Sequence, residues 1–220
     1  MGNVSAARSS VRSRDPERTK SEILKSALGE FAANGYDGAK IQQIANNAGC
    51  NPRLIYHYYD NKECLYLAVL RHIYAEIRER ENELQLEALT PQQAIERLVE
   101  LTFDFFESNT NFLSITRSEN LLGGRFIAQM PEIQKMSEPF LSKISGVLAR
   151  GRSLGVFRDG IDPLQLYVSI VALSAHHINA NHTLSATFGL DLSEENWRHE
   201  RRLHVINMIV STVSIADPKR

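Results

Sequence analysis

GYDGAKIQQIANNAGCNPRLIYHYYDNKE, residues 35–63, contains two short helical patterns divided by a single glycine, and this pairing decides how the rest of the chain is read. Ile41, Ile44, Ala45 and Ala48 recur at helical spacing, and Gly49 follows as a residue suited to the left-handed conformation that ends a helix. Asn51 then offers a side-chain oxygen to the first free N–H groups of a new helix, and Pro52 brings a φ already set for its first position. In that helix Leu54, Ile55, Tyr58 and Tyr59 face inward, while Asn51, Arg53 and His57 lie on the opposite side. Two short helices joined by a Gly-containing turn and supported by a preceding helix make a helix-turn-helix.

Moving outward, Asp15-Pro16 opens the supporting helix, whose stripe of Ile23, Leu24, Ala27, Leu28, Phe31 and Ala32 ends at Asn34-Gly35. Residues 1 to 14 are small, polar and basic without periodicity, which predicts a disordered arm. Downstream, Asp60-Asn61 caps a long helix with Leu65, Ala68, Val69, His72 and Ile73 inward, running to about Glu83. Thr90-Pro91 starts a helix carrying Ile95, Leu98, Leu101, Phe105 and Phe106, and a shorter one covers Phe112 to Leu121 before the Gly123-Gly124 break. Phe140, Leu141, Ile144, Val147 and Leu148 mark a helix over 133–152 that Gly155 closes, and Asp162-Pro163 opens the next. From Leu164 to Ala175 the apolar residues are nearly continuous, so this helix is expected to be buried on most sides. Asn181-His182 is expected to begin a loop, and Ser193, followed by Glu194 and Glu195, to start a last helix with Leu203, Ile206, Val210 and Val213. No strand-like alternation of useful length occurs. The predicted fold is all-α: a trihelical DNA-binding head at 15–62, a helical body at 63–220, and the fourth helix linking them.

At 220 residues with 43% hydrophobic composition the chain can bury a core without disulfides, and Cys50 and Cys64 have neither a framework nor ligand-spaced partners. No apolar run reaches the roughly 18 to 20 residues of a membrane span, no secretory signal is present, and Ala6 stands where a myristoylation motif needs Ser or Thr. A cytoplasmic protein with no membrane partner is the expectation. Neither a Gly-rich phosphate loop, a G-x-S-x-G turn, nor inward-facing paired carboxylates is found, so neither an enzyme nor a cofactor is expected. His176, His177 and His182 share no helical face and have no acidic or Cys neighbour, which argues against a metal site. The net charge of −1 hides an asymmetry. Arg8, Arg12, Arg14, Arg18 and Lys20 crowd the start, whereas Glu76, Glu79, Glu81, Glu83, Glu87, Glu96 and Glu100 crowd the middle. A basic head on an acidic body suits a protein that holds nucleic acid at one end.

Residues 35–63 resemble the TetR-family signature through Gly35-Tyr36, Ile44-Ala45, Ala48-Gly49, Tyr56, Tyr59 and Lys62-Glu63. The resemblance implies a regulator, by family expectation a repressor, binding double-stranded operator DNA as a homodimer and released by a small-molecule effector. It also implies that Tyr56 and Lys62 meet backbone phosphates and that Asn51, Pro52, Arg53 and His57 face the major groove. Ala39 and Lys40 stand where the family usually has Thr or Ser, so Lys40 is expected to replace a hydroxyl contact by charge, and Arg53-Leu54 stands where Gly-Thr is common. Arg53 either reads guanine through a bidentate contact or meets only phosphate, and His57 either touches DNA or sits in solvent.

The stretch DPLQLYVSIVALSAHHINANHTLSATFGLDL, residues 162–192, is similar to the TetR subgroup typified by the pyrimidine-utilisation repressor. That similarity implies a four-helix dimer interface built from the helices over 163–182 and 194–214. Candidate effector-binding residues are Arg117, Glu119, Asn120, His176, His177 and Asn179 as polar groups, with Phe103, Phe106, Phe112 and Tyr167 as walls. The phenylalanines serve equally as ordinary core, and His176 or His177 as bonds across a dimer. Control by a partner protein rather than a small molecule is the competing scheme; a closed cavity inside the body discriminates between them, and its absence favours the partner.

Overall fold

The computed structural model describes residues 15–215, so the basic arm expected over 1–14 lies outside the described residues. Ten α-helices follow one another: α1 (Pro16–Gly38), α2 (Ile41–Asn47), α3 (Pro52–Tyr59), α4 (Lys62–Asn82), α5 (Pro91–Ser108), α6 (Thr110–Leu121), α7 (Pro131–Ser153), α8 (Pro163–Asn179), α9 (Asn181–Phe188) and α10 (Glu195–Val213). Among the described residues no strand forms, and one isolated antiparallel bridge, Phe157 with Ser214, ties the α7–α8 connection to the end of α10.

The helix starts are written as a cap followed by proline. Asp15, Asn51, Thr90 and Asp162 each accept a hydrogen bond from an N–H of the first turn, and each is followed by Pro at the first helical position. Thr90 and Gln93 complete a reciprocal capping box. Asn61 caps α4 by accepting from Cys64 N at 2.9 Å. The stops are equally legible. Gly49, at φ 60°, lets Cys50 N–H reach the Ala45 carbonyl at 2.9 Å while its own N–H reaches Asn46, a closure that turns α2 sharply into α3. Gly35, at φ 65°, interrupts α1 where the sequence places its end.

Two apolar clusters form. The first unites the head (Ile23, Phe31, Ile44, Ile55) with α4 (Tyr66, Val69) and with Phe112, Ile115, Phe126 and Ile133 from the body. The second joins α5, α7, α8 and α10 through residues such as Leu98, Phe140, Ile170 and Val205. The head is therefore seated on α6 and the 122–130 connection, with α1 packed on α6 and α4.

Several expectations are corrected. His72 is exposed, and Tyr66 and Leu70 take the buried positions beside it on α4. Asn181-His182 begins α9, a short helix none of whose side chains is buried, rather than a loop. The cap of α10 is Glu194, because Ser193 is turned back to Asp191, and Leu203 faces outward. Within the single chain, helix α8 is buried on one side: Leu166 and Ile170 face the core while Leu164 and Val168 are about half exposed, at 51% and 52%. Glu81, one of the acidic residues that crowd the middle of the sequence, is completely buried.

Candidate DNA-reading helix and body cavity

Helix α3 is held by Ile55 and Tyr59, both buried, and the Tyr59 hydroxyl donates to the Lys20 carbonyl of α1 at 3.2 Å. Burial raises the Tyr59 pKa, so the hydroxyl stays protonated and the bond persists. Pinned on that side, the helix turns Asn51, Arg53, Tyr56 and His57 outward together. Asn51 also accepts from Arg53 N at 2.9 Å, so its side chain fixes the helix start from which Arg53 projects. Pro52 is half-buried, and Tyr58 packs its ring against His57. Lys40 precedes α2 with its side chain exposed, while its backbone N–H donates to the buried Glu30 carboxylate at 3.0 Å. Lys62 is half-buried: its ammonium lies 5.0 Å from the Tyr36 ring centre and donates to the Asp37 carbonyl, which ties α4 to the end of α1.

Tyr36 belongs to an aromatic cluster that sits between head and body. Its ring lies 5.2 Å from Tyr66 and 4.4 Å from Phe126, and Phe31 meets Tyr66 edge-on at 4.8 Å. Beneath it Glu119 of α6, 2% exposed, accepts from the N–H groups of Phe126 at 2.6 Å and Ile127 at 3.0 Å and from the Tyr66 hydroxyl at 3.4 Å. A Cβ on Gly35 would stand 3.0 Å from Ser118 Oγ, so α1 and α6 approach closely at that point.

Three residues from Glu119, Thr116 of the same helix lines a body cavity of about 900 Å³. Of the ten residues read as candidate effector contacts, Phe106, Phe112, Arg117, Asn120, Tyr167, His176 and Asn179 come together on its wall. Phe103, His177 and Glu119, the last turned to the Phe126 and Ile127 amides, do not. Phe103 belongs to the second core cluster and stacks on the His177 ring at 5.0 Å. His177 is buried with its Nε2 2.8 Å from Glu107, which also holds Arg198 at 2.7 Å. Burial lowers the His177 pKa, partly offset by the Glu107 carboxylate. The sequence reading missed Tyr74, Arg78, Ser137 and Arg201, which also line the cavity. Arg78 is 7% exposed, pairs with Glu81 at 2.9 Å and donates to the Tyr167 hydroxyl at 2.9 Å. Burial pushes the Glu81 carboxyl up to about 7, against the pull of Arg78, the Tyr167 hydroxyl and Lys143. A register signal for Glu81 exists: Val69, Ile73, Ile77 and Glu81 step by four residues along one buried face.

A model of the bacterial regulatory proteins of the tetR family matches residues 23–69, the head. A second, the tetracyclin repressor-like C-terminal domain, matches residues 91–209, more than half of the chain. The chain belongs to the TetR family. The transcriptional repressor NicS of Pseudomonas putida is 32% identical to this TetR-family regulator over 185 residues, 84% of this chain and 87% of the relative. RutR of Escherichia coli is 26% identical over 202 residues, 92% of this chain and 93% of the relative, which agrees with the likeness seen in residues 162–192. In fold the chain is similar to FadR from Bacillus subtilis, solved in complex with stearoyl-CoA, with a TM-score of 0.65 and 20% identity over 88% of this chain and 98% of that one. It is a helix-turn-helix transcription regulator of this family, and among the described residues no helix is long and apolar enough to cross a membrane.

Proposed function

We propose that this regulator works as a homodimeric repressor in the cytoplasm, holding a two-fold symmetric operator through residues 15–62 and leaving it when a small molecule fills the cavity of residues 63–220. One observation carries the reading. The outward helix α3 stands on a head that shares a hydrophobic cluster with α6, and α6 lines the cavity. Occupancy of the cavity and the placing of the heads are thereby parts of one packed unit, the physical requirement for coupling between two sites.

On the DNA side, Arg53 reaches a base edge, Tyr56 and Lys62 meet phosphates, and Asn51, Pro52, His57 and Lys40 line the approach. The free N–H groups at the start of α3 add a favourable field for phosphate. Dimerisation uses the exposed apolar side of α8 and α10, where Leu164, Val168, Leu203 and Met208 are each 43% to 52% exposed. Two heads then read half-sites about one helical turn of DNA, or a small multiple, apart. A small-molecule signal is supported by the volume of the cavity, about 900 Å³ and within the range of ligand sites, although the cavity is open to solvent rather than closed.

Selection from randomised duplexes tests the reading. The purified chain should enrich a palindrome with an affinity that falls steeply as salt rises. Arg53→Ala should flatten the preference at one base pair per half-site, a loss of about 1–3 kcal/mol of discrimination. A monomeric particle, or a pool with no enriched sequence, refutes it.

A further inference from the structure

Among the described residues five arginines are buried or half-buried: Arg78, Arg150, Arg198, Arg201 and Arg202. Four have a carboxylate or several carbonyls as partners. Arg78 faces Glu81, Arg198 faces Glu107, Arg202 forks onto Asp104 and reaches Glu100, and Arg150 is held by the carbonyls of Leu86, Glu87 and Leu89. Arg201 differs. Its only hydrogen bond among the described residues runs from Nη2 to the Leu173 carbonyl at 3.0 Å, and among them no carboxylate lies within ion-pair distance of it. Arg201 lines the body cavity.

The rest of the wall keeps the same sign. Arg78 and Arg117 also line the cavity, and among the described residues no Asp or Glu does. A guanidinium taken from water without a counter-charge costs free energy that a bound anion returns. Desolvation lowers the Arg201 pKa, the electrostatic mark of that cost. Apart from the polar Thr116, Asn120, Ser137, His176 and Asn179, the remaining wall is apolar and aromatic: Tyr74 meets Phe112 edge-on at 5.4 Å, and Phe106 stacks on Phe112 at 5.8 Å. Arg78 has Glu81 as its ion-pair partner and Arg117 is exposed, so Arg201 is the half-buried guanidinium of this wall that no carboxylate faces, which suits a single negative charge. A planar fork matches a carboxylate through two parallel hydrogen bonds.

We propose that the ligand of this cavity is an organic monocarboxylate with an apolar, ring-bearing body, its carboxylate held by Arg201 and its body packed among Tyr74, Phe106 and Phe112. The inference rests on reading the cavity as the effector site. Arg78 forms the adjoining polar wall, and Arg117, exposed at the rim, draws anions toward it.

The test uses benzoate and naphthoate against their neutral amides, on full-length protein with and without the selected operator, with melting temperature reporting binding and DNA release reporting coupling. The carboxylates should bind roughly 10- to 100-fold more tightly than the amides, the range for a charge-assisted bond in a desolvated site. Arg201→Gln should remove that ratio and Arg201→Lys should restore part of it, circular dichroism showing both variants to be folded. Equal binding of acids and amides, binding of neither, or a ratio unchanged in Arg201→Gln overturns the anion assignment. Binding of either set without DNA release instead overturns the effector reading, so the two failures are distinct.

Discussion

Glu119 offers the sharpest test of how head and body are joined. Its Oε1 accepts two backbone N–H groups, from Phe126 at 2.6 Å and Ile127 at 3.0 Å, and its Oε2 accepts the Tyr66 hydroxyl at 3.4 Å. Replacing it by alanine leaves both amides without an acceptor in a nearly dry site, at about 1–3 kcal/mol each, for a total of about 2–6 kcal/mol. Glutamine keeps Oε1 for both amides and turns an N–H toward the Tyr66 oxygen. It forfeits the charge assistance, about 1 kcal/mol per bond, but also removes the cost of burying a charge, so the net loss is about 1 kcal/mol. Urea unfolding of wild type, Glu119→Gln and Glu119→Ala at one protein concentration measures the gap, because the midpoint of an oligomer shifts with concentration. Alanine should lie about 1–5 kcal/mol below glutamine. Two variants within about 0.5 kcal/mol of each other, or glutamine the worse, would refute the argument that Oε1 anchors the 122–130 connection.

Two further outcomes follow from buried groups. A Cβ on Gly151 would lie 2.0 Å from the Phe157 ring, which is itself 2% exposed, so Gly151→Ala should lower stability by about 1–3 kcal/mol or more. Pairing it with Phe157→Leu should recover part of the melting temperature, and no recovery would place the strain elsewhere. Glu81 is faced by Arg78 of α4, Tyr167 of α8 and Lys143 of α7, and burial raises its carboxyl from 4.5 to about 7. A raised folded-state pKa gives stability that is complete below 4.5 and lost as pH climbs through 7, because the folded protein then gives up a proton that it held more tightly. The stability difference between wild type and Glu81→Gln should therefore fall across that window, with a slope of at most about 1.4 kcal/mol per pH unit. A difference that is flat from pH 5 to 8 would contradict it.

The parts of the fold legible in the sequence are those fixed by local chemistry. Asp15-Pro16, Asn51-Pro52, Thr90-Pro91 and Asp162-Pro163 announce helix starts because cap and ring act within one turn, and Gly49 announces a stop through its own φ. Helix α9 escaped because none of its side chains is buried, so no apolar period marks it, and its first residue follows Ala180 without a side-chain cap. The cavity was only partly visible. Tyr167, His176 and Asn179 stand out as polar groups on an apolar helix, but Arg201 sits in a run of charged residues on α10 where nothing local separates it from the ion-paired Arg198 and Arg202. His177 was misplaced for the same reason: its neighbour along the chain, His176, faces the cavity, while its partner Glu107 lies seventy positions away on α5.

The aromatic cluster of Phe31, Tyr36, Tyr66 and Phe126 bears on how such regulators exchange parts. Cutting after residue 62 to graft this reading head onto a foreign sensor would separate Phe31 and Tyr36 from the two rings that complete their packing. A chimera that carries along the first turns of α4 and the 122–130 connection keeps those rings in one piece. Recombination between relatives should accordingly favour crossovers that respect this seam, even though the seam is discontinuous along the chain.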